Sequence, residues 1–181
     1  MSQETPERVE TGAETVESAL VGNGLELSYP ESDSPVVDCE RLDVPEGAVT
    51  AIVGPNGSGK STLLKAFARH LDPDDGHVLL DGEDIEAFGQ SELARKLGIL
   101  SQESEVTGDL TVADLAYHGR YPHRGFFEGP SDADREAVDR ALALADVDHL
   151  RTEPLGQLSG GQKQLAWIAM VLAQETDVLL L

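Results

Sequence analysis

Apolar and polar positions follow two different rhythms along this chain. Leu25-Glu26-Leu27-Ser28-Tyr29 alternates with period two, as a half-exposed strand does, whereas residues 48–53 are almost continuously apolar, as in a parallel strand buried on both faces. After a glycine-rich turn, Leu63, Leu64 and Phe67 recur at helical spacing and predict a helix over 61–70. Residues 76–81 then read as a strand, 91–97 as a short helix and 98–101 as a further strand. From Thr111 the pattern turns helical. Thr111 can cap a segment running through Tyr117, with Asp114 at the third helical position completing a variant of the capping box. Ser131 and Asp134 repeat that arrangement ahead of 135–144, residues 163–173 form a strongly apolar helix, and 177–181 read as a last strand. An α/β protein with an inserted helical lobe over about 105–160 follows from this order.

Composition narrows the class. A chain of 181 residues fits one domain, and 40% hydrophobic residues fill a sizeable core. No run reaches the roughly 18 apolar residues of a membrane span. Residues 1–20 are acidic and without clear periodicity, so they are expected to form a solvated leader, with the folded domain over 21–181. The 34 Asp and Glu against 13 Lys and Arg give a net charge of −21, a surface that repels nucleic acid and is similar to that of proteins from salt-accumulating organisms. The single cysteine, Cys39, cannot close an internal disulfide and reads as a small buried hydrophobe. His118 and His123 lack a third ligand at usable spacing and read as solvated helix-end residues, while Trp167 reads as core beside Leu165 and Ile168.

Against that acidic background one segment is built for an anion. Gly54-Pro55-Asn56-Gly57-Ser58-Gly59-Lys60-Ser61 matches the GxxxxGKS pattern between a predicted buried strand and a predicted helix. Its glycines let backbone N–H groups turn inward around phosphate oxygens, the helix start adds positive potential, Lys60 reaches the outer phosphates and the Ser61 hydroxyl can ligate Mg²⁺. Leu158-Ser159-Gly160-Gly161-Gln162 opens the apolar helix in a similar way. Alone, it serves as well for an N-cap without a ligand as for a second phosphate site.

Together the two motifs resemble those of the ATP-binding cassette family, with 54–61 as its Walker A loop and 158–162 as its signature sequence. The resemblance spans about residues 23–181. It implies a P-loop, RecA-like core with an N-terminal antiparallel β portion and an inserted α-helical lobe. It also implies ATP and Mg²⁺ as ligands and a head-to-tail partner subunit, each signature (Ser159, Gly160, Gly161, Gln162) closing on the other subunit's nucleotide. By the same resemblance Thr62 joins the phosphate site, Tyr29 stacks on adenine, and Gln102 touches Mg²⁺ and the attacking water; Lys60 and Gln102 are then the catalytic candidates. Tyr117–His123 and 166–170 are similar to the subfamily that powers uptake of iron-siderophore complexes, haem or cobalamin. That implies a membrane permease as partner, a substrate-binding protein indirectly, and a place on the inner face of the cell membrane. The family's Walker B carboxylates follow four apolar residues, and Val178-Leu179-Leu180-Leu181 ends the chain there, so this stretch is expected to bind ATP without hydrolysing it. The competing readings are a soluble non-transport cassette protein, disfavoured by the short spacing from Ser61 to Leu158, and a non-catalytic nucleotide-binding module.

Overall fold

The computed structural model describes residues 17–29, 34–100, 109–124 and 129–181. In chain order its elements are strands β1 (Ser18–Leu27) and β2 (Val37–Pro45), helix α1 (Lys60–Phe67), strands β3 (Asp75–Leu80) and β4 (Glu83–Asp84), helix α2 (Gln90–Lys96) and strand β5 (Leu97–Ile99). Helices α3 (Val112–His118), α4 (Asp132–Leu144) and α5 (Gly160–Ala173) follow, then strand β6 (Val178–Leu180).

Four strands form an antiparallel sheet in the order β2-β1-β3-β4, while β5 and β6 pair in parallel, Leu97 opposite Val178 and Ile99 opposite Leu180. In β1 the expected alternation is obeyed: Leu25 and Leu27 are buried and Glu26 between them is exposed. The strand begins earlier than expected, at Ser18, inside the stretch assigned to the leader. Leu20, Leu25, Val78 and Leu80 from this sheet meet Leu63 and Phe67 of α1 and Val178 and Leu180 of β6 in one core.

A second core belongs to the helical lobe. Val112, Leu115 and Ala116 of α3, Val138 and Leu142 of α4, and Ala166, Ala169 and Ala173 of α5 make it. The alanines let α3 and α5 approach closely. Trp167 packs at its edge as expected, but Leu165 is exposed. Cys39 is half-buried on β2 rather than enclosed. His118 stacks on Tyr121 at 5.1 Å between ring centroids, and His123 Nε2 lies 2.7 Å from Gln174 O, so both histidines have protein partners.

The expected buried strand at 48–53 does not form. Val49 is 99% and Val53 89% exposed, and the segment enters no sheet. A parallel strand is held by neighbours on both sides, and among the described residues β5 and β6 pair only with each other. An apolar run records what a segment can bury, not what lies beside it. Ile52 alone packs against the first core.

Three helices begin with a reciprocal capping box: Thr111 with Asp114, Ser131 with Asp134, and Ser159 with Gln162. Asp134 does more than cap. Burial alone would push its carboxyl up, but a hydrogen bond from Arg120, joined by the N–H and hydroxyl of Ser131, outweighs that and holds it at about 2. An acid group depressed in the folded state contributes stability that is present above its ordinary value of 3.8 and lost as pH falls towards 2. The stability gap between the protein and Asp134→Asn should therefore shrink by about 2 kcal/mol from pH 5 to pH 2, read by urea titration at each pH. A constant gap would remove the carboxylate from acid unfolding.

Candidate nucleotide site

The first site is built where the loop after residue 53 meets α1. Gly57 and Gly59 adopt φ of 81° and 84°, a region that side-chain-bearing residues avoid. A Cβ on Gly59 would also stand 2.7 Å from Val37 Cγ2 and 2.8 Å from Val36 O. The loop can thus turn back beneath the helix and still lead straight into Lys60. No side chain caps α1, and its first described helical bond runs from Leu63 N–H to Gly59 O at 2.8 Å. The N–H groups of Ser61 and Thr62 consequently lack intrahelical acceptors at the positive end of the helix. This is an anion cradle made of backbone.

Side chains complete it. Lys60 Nζ donates to Gly54 O at 2.9 Å and Pro55 O at 2.8 Å, so its ammonium lies across the loop. Ser61 is exposed one residue further on, with Gly54, Asn56 and Ser58 also on the open side. Thr62 is 5% exposed, and its Oγ1 lies 3.0 Å from the Tyr29 hydroxyl. That contact joins the residue expected at adenine to the helix expected at phosphate. A cavity of about 210 Å³ between Val37, Ile52, Gly59 and Lys60 runs along the same loop. Gln102 lies outside the described residues.

The second site is the start of α5. Ser159 Oγ accepts from Gln162 N–H at 3.3 Å, and Gln162 Oε1 accepts from Ser159 N–H at 2.9 Å. Gln162 Oε1 is therefore engaged inside the capping box. Gly160 and Gly161 are exposed with nothing within 4 Å of where a Cβ would stand, leaving the first turn open to a large ligand. Leu158, buried in the helical core, anchors the turn. The two sites stand on different cores, α1 on the first and α5 on the second. Tyr29 and Thr62 are brought together; the loop and the signature turn belong to separate lobes.

The family model described as "ABC transporter" matches residues 38–181, which contain both sites. This chain belongs to the ABC transporter family. Among family members it is 46% identical over 162 residues to the ferric enterobactin transport ATP-binding protein FepC of Escherichia coli, covering 90% of this chain and 59% of that protein. It is 43% identical to the probable siderophore transport system ATP-binding protein YusV of Bacillus subtilis, covering 91% of this chain and 59% of that protein. A solved ABC transporter component, cbiO1 of Clostridium perfringens, superposes with a TM-score of 0.74 at 30% identity over 90% of this chain and 64% of its own. The chain thus spans about 59% of the length of the curated relatives it matches. The expected P-loop core with an antiparallel β portion and a helical lobe is the ABC fold seen here.

One charged cluster lies beyond the sequence motifs. Arg120, which the sequence offers only as part of the Tyr117–His123 run, is 5% exposed and paired with Asp134 at 2.9 Å. The signal is present in part: Asp134 is recognisable as a cap, and a cap carboxylate has a second oxygen to satisfy.

Proposed function

We propose that this chain is the nucleotide-binding part of the ATPase subunit of an ABC importer, with an iron-siderophore complex as cargo. The observation that carries the reading is the uncapped start of α1 beneath two left-handed glycines, with Lys60 laid across the loop. The ferric enterobactin and siderophore transport functions of FepC and YusV support the cargo class.

In this reading the loop N–H groups, Lys60 and the first turn of α1 hold the phosphates of ATP, and Tyr29 covers the adenine. Stacking of this kind contributes about 1–3 kcal/mol per base. Ser61 supplies one hard oxygen at the positive end of α1, a donor that fits Mg²⁺ held mainly by the phosphates. An ion held there would supply positive charge against the charge that develops on the phosphates during transfer. Gln102 would place the water that attacks the γ-phosphate in line, a reaction in which positioning and charge neutralisation do most of the work. Ser159, Gly160 and Gly161 would meet the nucleotide of a second subunit arranged head to tail. A membrane permease would dock the pair on the inner face of the membrane; no helix among the described residues is long and apolar enough to cross it.

Ser159→Arg in the full-length protein tests the pairing. It should keep ATP binding and lower turnover by about 10²-fold, the usual effect of removing a group that stabilises transition-state charge. Turnover at the level of the unaltered protein would rule out a role for the turn at nucleotide.

A further inference from the structure

At the far end of α5 from Ser159, three elements meet on one guanidinium. Arg120 Nε donates to Asp134 Oδ1 at 2.9 Å, and its Nη1 donates to Ala173 O at 2.7 Å and to Glu175 Oε2 at 2.9 Å. Glu175 Oε1 accepts in turn from Arg140 Nη2 of α4 at 2.6 Å. The other Asp134 oxygen accepts from Ser131 N and Ser131 Oγ at 2.9 and 2.7 Å. Arg120 follows the end of α3, Asp134 opens α4, Ala173 ends α5, and Glu175 lies in the turn that leads to β6. Arg120 and Asp134 are 5% and 4% exposed.

Such a pair is weak evidence for stability, because well-packed apolar residues often replace it at no loss. Its geometry is specific instead. A planar fork reaching a carboxylate, a helix-end carbonyl and a second carboxylate fixes angles that a single ammonium on a flexible stem cannot. The positive group also sits at the negative end of the α5 dipole, where His123 bonds the next carbonyl, Gln174 O. Helix α5 is 14 residues long, so it is a rod of about 21 Å. Ser159 stands at one end and Arg120 holds the other.

We infer that Arg120 is a positioning residue for the signature turn: it locks the C-terminal end of α5 to α4 and to the turn before β6, and so sets where Ser159 is presented to a partner's nucleotide. The inference rests on the proposed role of Ser159. It requires that loosening the clamp leave this subunit's own ATP binding intact, because Lys60 and Thr62 belong to the other core.

Two variants of the full-length protein test it, each with ATP-binding stoichiometry measured so that turnover is expressed per bound nucleotide. Arg120→Lys keeps the charge and breaks the fork; turnover per bound ATP should fall about tenfold while ATP affinity stays within about twofold, since a displacement near 1 Å can cost about 10²-fold and lysine keeps part of the clamp. Glu175→Gln leaves the buried pair untouched and should lower turnover about threefold, the size of effect seen for residues that couple sites without touching ligand. A merely structural role would reduce the fraction that binds ATP and leave turnover per bound nucleotide unchanged. Unchanged turnover per bound ATP in Arg120→Lys overturns the inference, and if Arg120→Lys does not fold, unchanged turnover in Glu175→Gln overturns it instead. If Ser159→Arg turns over normally, the reading of the signature turn falls and the clamp's role falls with it.

Discussion

Gly119→Ala should lower stability by about 3 kcal/mol, at the upper end of overpacking effects. An alanine Cβ there would fall within the Met170 carbonyl, with its carbon at 3.1 Å, and 3.2 Å from Ala116 O. These are backbone atoms of packed helices, so relief comes only by moving α3 away from α5 and opening the alanine-lined core between them. Backbone conformation is not the obstacle, because Gly119 has φ −58° and ψ −21°, which alanine adopts freely. Alanine would even gain about 0.4–1 kcal/mol by restricting the unfolded chain, and the clash outweighs that gain. Gly129→Ala, with nothing within 4 Å of its Cβ, should stay within about 0.5 kcal/mol of the unaltered protein. Urea unfolding midpoints compare the two; equal midpoints would mean that α3 and α5 slide past each other without loss.

The second large effect concerns ligand binding. At an ATP concentration of about 100 Kd the protein should gain about 2.7 kcal/mol, and Lys60→Ala should gain almost nothing. For a domain of this size that is roughly 5–10 °C in unfolding midpoint. Lys60 carries the only full positive charge in its loop, within a chain of net charge −21. Its present acceptors, Gly54 O and Pro55 O, are neutral, whereas a phosphate oxygen is charged and makes the stronger bond. Lys65→Ala, on the same helix but exposed and outside the loop, should retain the full shift. Equal ATP shifts in Lys60→Ala and the unaltered protein would remove the loop from nucleotide binding.

Local chemistry is legible in the sequence wherever it is self-contained. The capping boxes at Thr111 and Ser131 need only residues three apart, and the turn before Lys60 needs only its glycines. Strand β2 is harder, because the spacing from Cys39 to Leu42 breaks the alternation and Asp38, Glu40, Arg41 and Asp43 give it the polarity of a loop. It is nevertheless held as an edge strand through its ladder with β1. Residues 48–53 show the opposite error, since strong apolar character does not report which strands lie beside a segment. Arg120 is beyond reach for a related reason: its burial depends on Asp134 and Glu175, which only the tertiary fold brings to it.

The parallel pairing of β5 with β6 has a further consequence. Parallel neighbours cannot be joined by a tight turn and need a crossover, most often one helix. Here the entire helical lobe occupies that connection, leaving after Ile99 and returning at Val178. The lobe is one oversized crossover with a core of its own. The register of Leu97, Gly98 and Ile99 against Val178, Leu179 and Leu180 is set by the two strands themselves, not by the length of the chain between them. A pairing reached through so long a crossover leaves the sheet and the helical lobe free to pack as two separate cores.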